Sequence, residues 1–181
     1  RPILRQTLNA IPASSGQFFC GLLVATLWLT PHSTLAASVT LPASADTALF
    51  EVSPDANLGG STHIPIGAVG NAGQGKRGRG LFKFDTSPIP ANATVTSASL
   101  TLTVVKTPPS GASSTFAVHR VLQAWGEGTK DGNQGQTASA NEASWNQRLT
   151  SASSWSAPGG AASSDYSSAT SASKLVSGLG N

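Results

Sequence analysis

The stretch Arg79-Gly80-Leu81-Phe82-Lys83-Phe84-Asp85-Thr86-Ser87-Pro88-Ile89-Pro90 constrains the fold more than any other part of the chain. It reads as one β-strand followed by a hard stop. Side chains two apart on a strand share a face, so Phe82 and Phe84 fall on one side and Arg79, Leu81, Lys83 and Asp85 on the other. The spacing predicts phenylalanines toward a core and a mostly charged row toward water. The two prolines then end the strand, because each removes a ladder donor and restricts its neighbour. The same segment carries the densest positive charge in the protein, four cations within Lys76-Arg77-Gly78-Arg79-Gly80-Leu81-Phe82-Lys83 and no acid.

The strands around it are short. Residues 45–52 predict a first strand, and Ser53-Pro54-Asp55-Ala56-Asn57-Leu58-Gly59-Gly60 a turn rich in residues that tolerate positive φ. Residues 63–67 predict a short strand, placed at a sheet edge by Pro65. The clearest alternation sets Ala98, Leu100, Leu102 and Val104 against Ser97, Ser99, Thr101 and Thr103, the pattern of a strand with one wet face. Residues 115–122 predict another strand. No segment carries a helical period. Short strands between Gly, Pro and Ser turns point to an all-β protein, a β-sandwich or jelly roll. Between 150 and 173 the chain is largely Ser, Ala, Thr and Gly, a composition with little to bury, which predicts a long loop or linker.

Residues 1–36 read as an export leader. Arg1 and Arg5 supply positive charge, residues 18–29 form an apolar run, Pro31 breaks it, and Thr34-Leu35-Ala36 or Leu35-Ala36-Ala37 offers small residues for cleavage. The run is shorter than the ~20 apolar residues that cross a bilayer. Cys20, the only cysteine, lies in this leader, so residues 37–181 hold no disulfide and no Cys-based metal site. Those 145 residues suit one domain. The reported net charge of +3 includes Arg1 and Arg5; without them nine basic residues face eight acidic ones. Net charge therefore says little about partners, and clustering says more.

Several pieces, taken in order, resemble one family. Asn57-Leu58-Gly59-Gly60 resembles an Asn-Tyr-Gly-type turn. Arg79-Gly80-Leu81-Phe82-Lys83-Phe84-Asp85 with Ile89-Pro90 resembles the core motif of the DNRLRE domains, and Ala98-Ser99-Leu100-Thr101-Leu102 the strand after it. Trp125-Gly126-Glu127-Gly128-Thr129 and Ala143-Ser144-Trp145-Asn146 resemble the family's Trp-x-Glu-Gly-Thr and Thr-Trp-Asn pair. Trp155 with Pro158-Gly159-Gly160 resembles a loop of its longer members. The resemblance implies a jelly-roll β-sandwich in a secreted or cell-surface protein, attached to other modules of a larger chain and lacking here the family's closing strands. It also implies kinship with carbohydrate-binding module family 96, whose members bind the acidic polysaccharide alginate. Arg79 and Lys83 match the motif positions that serve the polymer, with Lys76 and Arg77 beside them.

The residues allow that chemistry. Arginine forks match carboxylates in bidentate fashion, and a uronate polymer presents carboxylates at regular spacing. The competing account makes the cluster a solvated edge, with Lys83 paired to Asp85 or Glu51. Nucleic acid would suit the charge, but export argues against it and no aromatic interleaves the cluster before Phe82. Trp125 and Trp145, flanked by predicted strands, are expected to be buried. Trp155 and Tyr166, in Ser/Gly-rich sequence, are expected on a wet surface where they could stack on sugar rings. Asp85 is expected to cap the turn before Ser87, and Glu127 to tie down the Trp125 loop. The carboxylates form no recognisable glycosidase pair, and no Asp/Asn spacing resembles a calcium loop, although Ca²⁺ is open to jelly rolls in general. His63 and His119 are too far apart for a zinc motif. A lyase would need a base, usually Tyr, His or Lys, beside a charge neutraliser, and no Tyr/His pair is evident in the sequence. No cofactor and no catalysis are expected.

Overall fold

The computed structural model describes residues 8–12, 37–68, 70, 73–108 and 113–180. The apolar run at 18–29, with Cys20, lies outside them. The described chain is all-β, with antiparallel ladders between its strands and no α-helix. Its strands are β1 (Leu8–Pro12), β2 (Ala37–Val39), β3 (Ala43–Phe50), β4 (Ala56–Asn57), β5 (Gly67–Ala68) and β6 (Arg77–Phe84). They continue as β7 (Ala93–Ser97), β8 (Ser114–Val121), β9 (Gln136–Thr137), β10 (Gln147–Leu149), β11 (Ser153–Ser154) and β12 (Tyr166–Val176).

The chain divides into two compact units. One holds the sheet β2-β1-β7, with β1 paired antiparallel to both neighbours. β1 falls within the segment that reads as a leader. Among the described residues, the other unit runs over 43–84 and 102–180 and contains the sheets β3-β6-β5, β4-β9, β10-β11 and β12-β8. The candidate site belongs to this second unit.

The β3–β6 ladder organises that unit. Its register sets Thr47 opposite Leu81, Leu49 opposite Arg79 and Ala48 opposite Gly80. Opposed residues share a face, so the sheet has two core sides. Leu49 and Leu81 pack with Ala143, Trp145 and Trp155 on one side, with Val121 and Trp125 against them. Ala48 and Phe50 pack with Leu58 on the other, next to Val52 and Ile64. This corrects the expected orientation of the central strand. Leu81, on the row read as outward, is 8% exposed, while Phe82 and Phe84 are only half-buried. A strand covered on both faces loses the one-sided alternation on which the expectation rested.

Three other expectations change. Residues 98–103 form no strand despite their alternation; Val104 alone makes a bridge, to Gly180. Alternation specifies a face and does not by itself specify a backbone ladder. Conversely, the Ser-rich stretch is ordered. It supplies β11 and the start of the 11-residue β12, which pairs along β8 from Tyr166↔Val121 to Val176↔Ser114. Ladder bonds come from the backbone, so a strand of Ser, Ala and Thr forms where a partner edge is available. The short strand expected at 63–67 is reduced to β5, which pairs with the start of β6.

Candidate functional site

The basic cluster opens at the start of β6. Alternate positions put Arg77, Arg79 and Leu81 on the face that carries Trp145, so two guanidinium groups meet one indole. Arg77 Cζ lies 5.5 Å and Arg79 Cζ 5.4 Å from the Trp145 ring centroid. Both distances are within the reach of cation–π attraction. Trp145 itself is 3% exposed and serves as the floor of the arrangement.

The two arginines differ in role. Arg79 is half-buried and turned inward. Its Nη1 donates to the Gly159 and Gly160 carbonyls, and its Cζ also stands 5.4 Å from the Tyr166 ring. Gly159 has φ +79°, and a Cβ there would strike the Trp145 ring, so glycine is what lets the carbonyl reach the guanidinium. Arg77 is turned outward, with 58% of its side chain exposed. Its Nε donates to Glu51 Oε2 at 3.0 Å, and its backbone N–H donates to the same oxygen at 2.9 Å. Nη2 reaches Oε1 at 3.4 Å. These hydrogen bonds hold the Glu51 carboxyl below its ordinary range and raise the Arg77 guanidinium above its own. Glu51 is therefore paired with Arg77, whereas the solvated-edge account allowed it, or Asp85, as a partner for Lys83.

Lys76 and Lys83 are exposed at either end of β6. Asp85 does cap the following turn. Its carboxylate accepts from the Ser87 backbone N–H and hydroxyl, both at 2.9 Å, and these bonds depress its pKa. Of the six residues proposed to bind, Arg77 and Arg79 meet over Trp145 and Tyr166 joins them through Arg79, with Lys76 next to Arg77 in sequence. Trp155 does not join them. It is 6% exposed, inside the core, and its Nε1 donates to the Ser144 carbonyl at 2.9 Å. The wet-surface expectation fails there because β10 and β11 pair locally and fold the indole inward. Tyr166 is half-buried rather than wet. Its ring meets His119 edge-on at 5.4 Å, and His119 Nδ1 donates to the Ser167 carbonyl at 2.9 Å. The tyrosine and histidine that sequence placed 47 positions apart are thus neighbours, through the β8–β12 pairing.

Three buried polar residues hold the loops around this site, and sequence reasoning gave none of them that role. Asn57 is wholly buried, and its amide reaches the 127–130 loop and Ala143. Glu142 accepts from the backbone N–H groups of Thr129 and Ser139 at 3.0 and 2.7 Å and pairs with Lys130. Asp165 accepts from the Ser156 and Ala161 N–H groups at 2.8 and 2.7 Å, closing the loop that carries Gly159 and Gly160. Glu127 Oε1 accepts from the Asp46 N–H at 3.1 Å, which ties the Trp125 loop to β3. The Asn-Leu-Gly-Gly and Trp-Gly-Glu-Gly-Thr sequences, with their Gly and acid positions, were the available signal.

A shallow groove of about 440 Å³ lies beyond Glu51, between the Ser53–Ala56 turn and residues 134–137. Among the described residues no three His, Cys, Asp or Glu side chains gather as a metal site, and no helix is long and apolar enough to cross a membrane. Comparison with family models, with curated proteins and with solved structures finds no match to this chain.

Proposed function

We propose that this chain is an exported, non-catalytic carbohydrate-binding module that takes an acidic polysaccharide such as alginate on the surface around Arg77. The reading keeps the DNRLRE resemblance, with its jelly-roll connectivity and its place among other modules. One observation carries it: Arg77 is solvent-exposed, braced on Trp145, and already holds a carboxylate through Nε and Nη2. A uronate offers the same planar group. Lys76 adds charge beside it, and Arg79, also over Trp145, ties the floor to the Gly159 and Gly160 carbonyls.

A structural or adhesive surface module is the second reading. What favours it is that Arg79 is committed to the Gly159 and Gly160 carbonyls and Arg77 to Glu51, so both arginines also serve the fold.

Affinity electrophoresis of the full chain, in gels with and without alginate at low and high salt, separates the two. Retardation that weakens with salt and is lost in Lys76→Ala/Arg77→Ala supports the polysaccharide reading, because exposed charges are screened beyond about 10 Å at 0.1 M salt. Unchanged mobility against both alginate and a neutral glycan leaves the structural module.

A further inference from the structure

The groove and the basic cluster are joined by covalent neighbours on both sides. On one side, just past the end of β3, Glu51, which holds Arg77, is followed within a few residues by Ser53 and Asp55, which line the groove. On the other, Trp145 lies under Arg77, and the next residue, Asn146, donates from Nδ2 to Asp55 Oδ1 at 2.9 Å and from its backbone to the Pro54 carbonyl at 3.1 Å. From Glu51 to Asp55 the chain can span at most about 14 Å, a length of a few sugar residues.

We propose that this groove is a second subsite, which takes the ring hydroxyls of the sugars flanking a uronate bound at Arg77. The inference rests on the polysaccharide reading and extends it. The polar part of the lining is hydroxyl and amide groups, Ser53, Gln134, Gln136 and Thr137, with one carboxylate, Asp55; Pro54, Ala56 and Gly135 complete it. Amides and hydroxyls both donate and accept, which suits a vicinal pair of sugar hydroxyls. Asp55 accepts from such hydroxyls and repels a carboxylate. The groove is therefore wrong for a polymer with charge at every point of contact, nucleic acid included, and right for one that can turn hydroxyls inward while its carboxylate meets Arg77. The volume of about 440 Å³ lies within the roughly 300–1,000 Å³ of small-ligand sites.

The walls are held in place. β4 pairs with β9, setting Ala56 opposite Thr137. Asp55 O accepts from Ala138 N–H at 2.9 Å, Gln136 Nε2 donates to the Asp131 carbonyl at 3.1 Å, and Ser53 Oγ donates to Gln134 Oε1 at 3.3 Å. That leaves Gln134 Nε2 and Gln136 Oε1 for a ligand, and little ordering is needed on binding.

The test is calorimetric titration of the full chain with a uronate disaccharide and a hexasaccharide. Wild type is expected to bind the longer ligand more tightly, beyond the statistical gain from its extra sites, by at least about fivefold, the worth of one net hydrogen bond. Gln134→Ala/Gln136→Ala is expected to bind the disaccharide as wild type does and to lose the length gain. Gln136→Glu, which keeps the side chain's size and adds a charge beside Asp55, is expected to lose it as well. A length gain retained in both variants overturns the subsite and leaves the Arg77 site standing. Wild type that binds neither ligand overturns both.

Discussion

Asn57 donates from Nδ2 to the Glu127 carbonyl at 2.7 Å, across 70 residues of sequence. The same nitrogen reaches the Ala143 carbonyl at 2.9 Å and Thr47 Oγ1 at 3.3 Å, while Oδ1 accepts from the N–H groups of Gly59 at 3.0 Å and Lys130 at 3.3 Å. One amide thus ties β3, the Gly59 turn, the 127–130 loop and the segment leading into Trp145. Gly128, at φ +82°, has no Cβ to strike that amide. Asn57→Ala leaves several buried groups unpaired, each costing about 1–3 kcal/mol. The expected loss is about 3 kcal/mol or more, read by denaturant unfolding. Asn57→Asp should also destabilise, since a carboxylate would face two carbonyls that now receive hydrogen bonds. Wild-type stability in either variant would contradict this account.

Arg79 and Arg77 should separate in a stability assay. Arg79→Ala removes charged hydrogen bonds to two carbonyls and contacts with two aromatic rings, an expected cost of about 2–4 kcal/mol. Arg77→Ala removes an exposed pair, with an expected cost of about 0–1 kcal/mol. Binding should rank the other way among folded variants. The thermal midpoint of each, set beside its retardation in alginate gels, checks the assignment.

Glu51 occupies the guanidinium fork that a polymer carboxylate would use. Glu51→Gln removes that competitor and one negative charge from the surface. Alginate affinity is expected to rise about two- to fivefold, in line with the weak hold of an exposed ion pair. Weaker binding would instead make Glu51 a brace that orients Arg77 for its ligand.

The pH dependence follows from Glu51 and Asp85. The hydrogen bonds from Arg77 lower the Glu51 pKa, and the backbone N–H of Ser87 lowers that of Asp85. A carboxyl with a depressed folded-state pKa adds stability above its unfolded pKa and loses that contribution as pH falls through the folded value. The thermal midpoint should therefore decline as pH drops below about 4, the ordinary carboxylate range, and the decline should be shallow because both groups are on the surface. Glu51→Gln/Asp85→Asn should flatten it, and an unchanged slope in that variant would refute the linkage.

Trp155→Ala should cost about 3–5 kcal/mol, as removal of a core aromatic does. Tyr166→Phe keeps the ring against His119 and Arg79 and should change stability by less than about 1 kcal/mol. Near-ultraviolet circular dichroism and urea unfolding read both. A silent Trp155→Ala would put the indole outside the core.

Much of the architecture was legible. The turn residues and the absence of a helical period indicate an all-β chain, and the strands at 45–52, 79–85 and 115–122 lie within a few residues of β3, β6 and β8. The density of cations before Phe82 located the candidate site, and the flanking strands indicated that Trp145 is buried. These are local properties, carried by residue type and spacing, and local properties survive folding. Which cation faces water did not follow. Arg77 and Arg79 have the same side chain on the same strand face; the loop that brings the Gly159 and Gly160 carbonyls to Arg79 holds it inward, while Arg77 meets Glu51 from the end of β3 and stays exposed. Trp155 was misread for a related reason: its Ser-rich surroundings have few apolar side chains, yet they are ordered through backbone ladders that composition does not record. Sequence by itself determined strand-forming segments, turns and charge density. Tertiary structure alone decided which faces are covered and which polar groups meet, because burial and hydrogen bonding depend on partners 70 to 91 residues away along the chain.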